Sequence, residues 1–345
     1  MKKAAIGLSG GVDSAAAAKL LIDKVFDVMG IILRLKPESG ADADISDAQR
    51  IADSLGIELK VLDRRDFFKT SVIGPFVAEY LAGRTPNPCV ECNAAVKFGV
   101  MLDFALENGC DFLATGHYAK IENCDGRYLL KRSGNNKDQS YFLHRLTQHQ
   151  LSHAMFPLEG MEKDEIRRIA LDAKLPVAEK SDSQEICFVP DDDYISYLAS
   201  LGVTSPSGRI TDKSGNTLGT HNGIINYTVG QRKGLGAFGK PMFVTSINAE
   251  ENTVIIGENG SQYSRGLVAD RMNYIAFETL NEPIKAQVKI RFRAKEQPAT
   301  VTPNSDGTVT IIFDEPQRSV TPGQSAVIYD GDTVIGGGRI IKQLD

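Results

Sequence analysis

The sequence lacks three features that would each indicate a particular class of protein: a long apolar run, a secretory signal and an excess of basic residues. A membrane-spanning helix needs about 20 consecutive apolar residues, and no such run is present, so we predict no membrane association. Met1–Lys3 precedes only a few apolar residues and no cleavage site, which predicts a cytoplasmic protein. The formal net charge of −5 gives no indication of nucleic-acid binding, although an acidic protein can still carry a local basic face.

Cysteine is also scarce, with five residues in the chain. An odd count without a secretory signal favours reduced thiols that have a chemical or metal-binding role. Cys89 and Cys92 form a C-x-x-C pair behind two prolines, and we expect this pair on a loop, where it suits a nucleophile, a redox couple or a metal ligand. A closed zinc site would need a second pair of ligands at similar spacing, which the sequence does not contain. Spacing alone predicts Cys110 as a core thiol, Cys124 as a surface residue and Cys187 as structural.

The most informative stretch that is present is Ser9–Ser14, with the sequence SGGVDS. The apolar run Ala4–Leu8 before it predicts a buried parallel strand, and Ala15–Ile22 after it is a strong helix former. Two adjacent glycines allow a tight turn that presents backbone N–H groups, and Asp13 and Ser14 can cap the helix, whose positive end then faces an anion. The pattern is neither the P-loop nor the dinucleotide G-x-G-x-x-G. These residues predict a polyphosphate site at the carboxyl end of the first strand.

The first 200 residues alternate predicted strands and helices. This alternation predicts an α/β fold with a doubly wound parallel sheet and ligands at the carboxyl ends of its strands. Beyond the first strand and helix, the predicted elements are strands at 28–33, 58–62 and 112–115 and helices at 46–55, 67–81, 100–107 and 164–174. Pro75 predicts a bend or break in its helix. Residues 119–122 and 127–130 predict a β-hairpin inserted into the sheet.

After about residue 200, helical patterns vanish and short alternating strands are separated by Gly, Pro, Asn and Thr. We therefore predict two small β-rich domains after the α/β one, the last of them an antiparallel barrel. The expected domains are 1–200, 201–272 and 273–345.

Ser9–Ser14 resembles the signature of the N-type ATP pyrophosphatases, the PP-loop enzymes, whose fold is adenine nucleotide α-hydrolase-like. Members of that superfamily cleave ATP between the α and β phosphates and adenylate a carbonyl or carboxylate oxygen. Further motifs follow it in the chain: Thr115–Ala119, Lys137–Leu143, Gln184–Phe188 and Tyr227–Gly236. Together these motifs resemble the tRNA-specific 2-thiouridylase (MnmA) family, and the match runs from the first strand to Gly336–Gly338.

The resemblance implies a role for several sets of residues. It implies that ATP, with Mg²⁺, is held by Gly7, Leu8, Ser9, Gly10, Gly11, Val12, Asp13, Ser14, Leu33 and Gly116. It implies Cys92 as the nucleophile and Cys187 as the cysteine that carries a persulfide. The implied contacts to the target base are Asn87, Pro88 and Cys89. The implied contacts to tRNA are His117, Lys137, Asp138, Gln139, Arg291, Phe292 and Gln324, although His117 at a strand end is more often structural and Lys137 resembles an ordinary solvated loop charge.

Cys89 departs from the family pattern, because many members carry at this position an Asp that is the proposed general acid or base. A thiol transfers protons less well unless its pKa is lowered. Two interpretations stay open. In the first, Cys89 is a tolerated substitute or a spare redox partner. In the second, Cys89, Cys92 and Cys187 are the three thiolate ligands of a [4Fe–4S] cluster whose open iron binds sulfide.

The reaction implied by the resemblance is 2-thiolation of the wobble uridine of tRNA, with the base flipped out of its stack. The sulfur donor is a persulfide relay protein, a cysteine desulfurase or inorganic sulfide. Arg232, Lys233, Arg291 and Arg293 are candidate phosphate contacts, and Arg291 and Arg293 are expected on one face of a strand. Two other functions stay open: a PP-loop ligase or amidotransferase acting on a small carboxylate, and a non-catalytic iron–sulfur or redox-sensing RNA-binding protein.

Overall fold

The computed structural model describes residues 1–36, 38–178, 180 and 186–345, and for residues 38–42 it describes the backbone alone. Gln184 and Glu185 of the motif Gln184–Phe188 lie outside the described residues. In the described part of the chain, no helix combines the length and the apolar character that a membrane span requires.

The strands fall into three sheets. In chain order they are β1 Lys3–Gly7, β2 Asp27–Arg34, β3 Glu58–Asp63, β4 Phe112–Ala114, β5 Ala119–Cys124, β6 Arg127–Arg132, β7 Ala154–Met155, β8 Gly208–Thr211, β9 Thr217–His221, β10 Met242–Asn248, β11 Thr253–Glu258, β12 Tyr263–Tyr274, β13 Ile284–Lys289, β14 Gln297–Pro303, β15 Val309–Arg318, β16 Ser325–Asp330 and β17 Thr333–Leu344. The first sheet is parallel in the order β3-β2-β1-β4-β7, which confirms the predicted α/β fold class.

The helices cover both faces of the parallel sheet. In chain order, the α-helices of the described residues are α1 Val12–Asp23, α2 Glu38–Leu55, α3 Arg65–Phe68, α4 Gly74–Leu81, α5 Pro88–Glu91, α6 Leu102–Glu107, α7 Gln148–Ser152, α8 Lys163–Asp172 and α9 Tyr194–Ser200. On one face, apolar residues of β1 pack with α1, α2 and α8. On the other face, Ala5, Met29 and Leu113 pack with α6 and with Val327 and Tyr329, so the last domain is part of the core that covers the sheet.

Two stretches of helix differ from the prediction because their turns widen. At Pro75, where a bend or break was expected, the helix continues but its winding changes, because the π-helical segment Lys69–Ile73 joins α3 to α4 just before the proline. Similarly, α5 leads directly into the π-helical segment Cys92–Met101 and then into α6, with a kink at Gly99, whose φ of −95° and ψ of −106° are not helical.

The C-x-x-C pair therefore begins a helix, and the expectation of a loop was wrong. Pro88 occupies the start of α5, where proline has no hydrogen bond to lose and its fixed φ already suits a helix. Cys89 lies in the first turn, and Cys92 begins the π-helical segment.

The last domain is a closed barrel in the order β12-β15-β14-β13-β16-β17, with β17 pairing back to β12. This confirms the predicted β-barrel. The predicted hairpin also exists as β5–β6, but it is not inserted into the parallel sheet. Thr333 of β17 pairs with Lys131 of β6, so the hairpin extends the barrel sheet instead. The strands that lie between the parallel sheet and the barrel in the chain form a smaller sheet in the order β10-β11-β8-β9.

Candidate active site

The loop Ser9–Ser14 connects β1 to α1 at the carboxyl end of the strand. Gly10 has a φ of +71°, which a residue with a side chain adopts only under strain, and Gly11 is the N-cap residue of α1. The expectation that Asp13 and Ser14 cap the helix was wrong, because both lie inside its first turn. The Ser14 hydroxyl donates to the Gly11 carbonyl at 3.0 Å and accepts from the Ser9 N–H at 3.1 Å. Since Gly11 has no side chain to accept from the first amides of α1, these amides suit an anion.

The residues expected to hold ATP lie along one edge of the sheet. Gly7 ends β1, Leu33 lies near the end of β2, and Gly116 follows β4. Gly116 packs so closely on the loop that a Cβ atom there would lie 2.9 Å from the Ser14 nitrogen. Only glycine fits this approach. Leu8 and Val12 are buried beneath the loop.

The Asp13 carboxylate is a charged group at this edge. One of its oxygens accepts from the Tyr118 hydroxyl at 2.8 Å and from the Lys163 ammonium at 2.7 Å. Lys163 opens α8, more than a hundred residues further along the chain. Sequence reasoning missed Lys163, because its only signal was a basic residue at a helix start.

The two thiols of the C-x-x-C pair are held in apolar surroundings. Cys92 is buried beside Val96 and Phe68, and Cys89 is partly buried. Burial raises the pKa of Cys89 and raises that of Cys92 to about 12, and the positive charge of Lys97 opposes part of this effect in both cases. Both thiols are therefore protonated at neutral pH in this arrangement.

Cys187 is an exposed free thiol in the same neighbourhood. Cys187 lies close enough that a negative charge on it would raise the pKa of both Cys89 and Cys92. The next residue, Phe188, packs edge-on against Phe68, with ring centroids 5.5 Å apart, and it belongs to the apolar cluster that contains Cys92. The fold thus brings the three cysteines of the sequence-based hypothesis into one region.

These residues do not fit a [4Fe–4S] cluster as they are placed. Across the residues that the structure describes, no group of three or more His, Cys, Asp or Glu side chains could hold a metal ion.

Lys97 and His117 connect the helix that bears Cys89 and Cys92 to the sheet edge beside the loop Ser9–Ser14. The Lys97 ammonium lies 3.4 Å from His117 Nε2, and His117 Nδ1 lies 2.7 Å from the Thr115 hydroxyl. Burial and the charge of Lys97 lower the pKa of His117 well below its ordinary value, so the ring is neutral. His117 is 9% exposed. No pattern in the sequence indicated a role for Lys97.

Several residues expected to contact tRNA make contacts within the protein. Asp138 accepts from the Ser133 and Ser140 amides, at 3.1 and 3.2 Å. The Gln139 side chain accepts from the Tyr118 amide at 3.1 Å, and Phe292 packs against Phe142 with ring centroids 4.4 Å apart. Lys137, which precedes Asp138, has an exposed side chain.

Arg291 differs from the prediction. The strand β13 ends at Lys289, so Arg291 and Arg293 lie in a turn, and the expectation that both alternate along a strand was wrong. The Arg291 guanidinium donates to the Val229 carbonyl at 3.2 Å and to the Ser319 carbonyl at 2.7 Å, and it also contacts the Thr321 hydroxyl. It ties the central domain to the barrel.

The segment before the thiol pair is held by both carboxyl-terminal domains. The Thr85 amide donates to the Pro322 carbonyl at 2.9 Å, and the Gln324 side chain donates to the Thr85 carbonyl at 2.8 Å. The Thr85 hydroxyl contacts the Thr228 hydroxyl at 3.1 Å. Gly323 lies directly against the Thr85 backbone, where a Cβ atom would approach to 2.8 Å. No sequence pattern indicates these contacts.

An ion network fixes the same segment at its other end. The Glu79 carboxylate accepts from Arg84 at 2.6 Å and from Arg339 at 2.6 Å, and Arg339 also donates to Asp270 at 3.0 Å. Beside this network, a small cavity of about 50 Å³ lies between α5 and the barrel. Asn87 and Pro88, the expected contacts to the target base, are among its lining residues.

Three family models match successive parts of the chain. Residues 2–191 match a family model described as tRNA methyl transferase HUP domain, residues 196–258 match a tRNA methyl transferase PRC-barrel domain, and residues 264–340 match an aminomethyltransferase beta-barrel domain. A solved structure titled U34-tRNA thiolase NcsA from Methanococcus maripaludis with its [4Fe–4S] cluster is 24% identical, over 58% of this chain and 66% of that chain, with a TM-score of 0.37. A score this low supports no conclusion about this chain.

Full-length relatives are much more similar. The tRNA-specific 2-thiouridylase MnmA of Clostridioides difficile (strain 630) is 48% identical, covering 99% of this chain and 99% of the relative. The protein of the same name from Acetivibrio thermocellus is 47% identical, covering 98% and 99%. The chain therefore belongs to the tRNA-specific 2-thiouridylase (MnmA) family.

Proposed function

We propose that this protein is an ATP-dependent sulfurtransferase that replaces the C2 oxygen of the wobble uridine of tRNA by sulfur. The observation that carries the proposal is the connection between two sites. The helix that bears Cys92 contacts His117 through Lys97, and the chain around His117 packs through Gly116 on the loop Ser9–Ser14. ATP must activate a carbonyl, and sulfur must then attack the carbon of the same carbonyl. Both steps therefore require the phosphate loop and the thiols to lie near one another.

The nucleotide edge performs the first step. The amides of Ser9–Ser14 and the start of α1 hold the phosphates of ATP, and Asp13 is the loop carboxylate that suits Mg²⁺, which shields phosphate charge when bound. The C2 oxygen of the uridine attacks the α-phosphorus, the bond to the bridging oxygen breaks, and pyrophosphate leaves. The base gives up its N3 proton, so an adenylated base forms whose leaving group is AMP.

The thiols perform the second step. The terminal sulfur of a persulfide on Cys187 attacks C2, and AMP leaves with the C2 oxygen. Cys92 then attacks the Cys187 sulfur, the bond to the transferred sulfur breaks, and its electron pair stays with the base. The Cys92–Cys187 disulfide that forms must be reduced by two electrons from a thiol reductant. Cys89 is the third thiol of the region, as a substitute for the family's Asp or as a spare redox partner.

The partners in this proposal are tRNA and a protein that delivers persulfide sulfur, either a relay protein or a cysteine desulfurase. Arg232 and Lys233 in the central domain and Arg293 in the barrel are exposed, as phosphate contacts must be. We assign the two carboxyl-terminal domains, 201–272 and 273–345, to holding the tRNA.

The test is a thiolation assay with tRNA, ATP and a persulfide donor, with 2-thiouridine measured by nucleoside mass spectrometry and pyrophosphate by a coupled assay. Cys92→Ala and Cys187→Ala are expected to abolish 2-thiouridine. The matched control is Cys124→Ser, which changes an exposed cysteine at a hairpin tip and is expected to leave the product unchanged.

Three outcomes would contradict the proposal. Pyrophosphate exchange that ignores RNA would indicate a ligase or amidotransferase. No ATP cleavage with tRNA present would indicate a binding protein. Anaerobically purified protein that contains iron and sulfide, and loses both in Cys89→Ala, Cys92→Ala and Cys187→Ala, would replace the persulfide relay by cluster-bound sulfide.

A further inference from the structure

Lys97 lies five residues after Cys92, inside the π-helical segment Cys92–Met101. In an α-helix, a residue five positions further on points about 140° away around the axis. A π-helix hydrogen-bonds residue i to residue i+5, so its wider turn brings these two positions back towards one face. The winding of this segment therefore directs Lys97 to the side of the helix that carries the Cys92 thiol.

The position of the ammonium is fixed from the other side by His117. An ammonium can only donate, so His117 Nε2, 3.4 Å away, is the acceptor, and the ring proton lies on Nδ1 and is donated to the Thr115 hydroxyl. The buried, neutral ring packs edge-on against Phe156. A buried imidazole that accepts from a lysine is arranged to hold that lysine, which differs from the direct tRNA contact implied by the family resemblance.

The surroundings of Cys92 make the positive charge of Lys97 important for its sulfur. Cys92 is buried among Phe68, Val72 and Val96, an apolar environment that opposes any negative charge on its sulfur. Among the described residues that act on the charge of Cys92, Lys97 favours the anion, and it acts on Cys89 in the same direction. One positioned positive charge thus serves the thiol pair.

We propose that Lys97 is the cation of the sulfur-transfer step and that His117 is its positioning residue. The Lys97 ammonium stabilises the anionic sulfur of Cys92 as it forms its bond to the Cys187 sulfur. The bond between that sulfur and the transferred one breaks, and the electron pair leaves on the 2-thiouridine. The proton given up by the Cys92 thiol balances the proton that the 2-thiouridine takes up. This role of Lys97 rests on the proposed function, because the reaction itself is part of that proposal. The first test below does not depend on it.

That first test uses no ATP and no RNA. The rate at which iodoacetamide alkylates Cys92 is measured by tandem mass spectrometry in a Cys89→Ala background, so that one thiol of the pair reacts. Lys97→Gln removes the charge but keeps an amide that can donate to His117, and we expect it to slow alkylation about tenfold, the effect of one unit of pKa. Lys97→Arg is expected to keep most of the rate. Lys24→Met, which removes an exposed lysine at the end of α1, is the control and is expected to change nothing.

The second test separates the two half-reactions in the full-length protein with unmodified cysteines. Lys97→Gln is expected to release pyrophosphate from ATP and tRNA at the wild-type rate while 2-thiouridine formation falls about tenfold, and Lys97→Arg is expected to restore it. Should the Gln variant fail to fold, Lys97→Met takes its place. Equal alkylation rates in Lys97→Gln and the parent, or a parallel loss of pyrophosphate release, would overturn the assignment. Wild-type protein that makes no 2-thiouridine would refute the proposed function but leave the alkylation result to decide the role of Lys97.

Discussion

Gly323 gives the sharpest test of how the barrel positions the thiol pair. Its φ is +93°, and a Cβ atom added there would lie 2.8 Å from the Thr85 carbonyl oxygen and 2.9 Å from the Thr85 nitrogen. These are backbone atoms, so no side chain can move aside to relieve the contact. Gly323→Ala must therefore displace either the barrel loop or the segment that leads into α5.

The cost has two parts. The left-handed conformation costs an alanine about 1–2 kcal/mol, and a forced contact in a packed region costs about 1–3 kcal/mol. Gly307 provides a matched control, because its φ is +81° but no atom lies within 4 Å of a Cβ added there. Gly307→Ala is expected to lose the first part alone, so the difference between the variants, about 1–3 kcal/mol, measures the contact with Thr85.

The free energy of unfolding is measured by urea denaturation followed by far-UV circular dichroism, because the chain has no tryptophan to serve as a fluorescent probe. Thiolation is measured at a temperature at which both variants are folded. We expect Gly323→Ala alone to lose thiolation, because the displaced segment carries the C-x-x-C pair. Equal losses of stability in the two variants would refute the packing argument, and full thiolation by Gly323→Ala would refute the role of the barrel in positioning the thiols.

Three further changes test other contacts. Glu79→Gln should lower the free energy of unfolding by about 1–2 kcal/mol at pH 7. Burial raises the pKa of Glu79, but its two arginine partners outweigh burial and hold this pKa below 4.5, so the stabilisation is present above pH 4.5 and is lost as the pH falls through the pKa of the folded state. Below that pKa, urea denaturation should give the same free energy of unfolding for the variant and the wild type. Asp13→Asn should reduce pyrophosphate release by about tenfold or more, since one charged ligand is removed while the size is kept; an unchanged rate would exclude Asp13 from the nucleotide site. Arg291→Met should lower stability with no change in the salt dependence of tRNA binding, whereas Arg293→Met should reduce the slope of that dependence by about one; the reverse pattern would contradict the internal role of Arg291.

The parallel sheet and the turn at Ser9–Ser14 could be predicted because their sequence signals are local. An apolar run, two glycines and a helix-forming run specify the turn between β1 and α1 without reference to the rest of the chain. The place of Cys89 on a helix was missed because Pro88 was interpreted as a loop residue, although proline also begins helices.

The rest of the site depends on features that no local pattern carries. Lys97 lies on the same face of the helix as Cys92 only because this segment has π-helical winding. The 3.6-residue period of an α-helix predicts Lys97 on a different face. Arg291 follows the end of a strand, and its three acceptors come from segments 28 to 62 residues away, so alternation along the strand gave the wrong direction.

The contact between Thr85 and Gln324 joins residues 239 positions apart in the chain. A ribosome that adds about 5–20 residues per second needs on the order of 10 to 50 s to make the chain between them. During that time the loop Ser9–Ser14 and the strands and helices beside it, which all precede residue 200, are already synthesised, while the segment before the thiol pair still lacks its partners. The order of synthesis therefore separates the two halves of the chemistry, because the cysteines reach their final arrangement only when the last domain has closed over them.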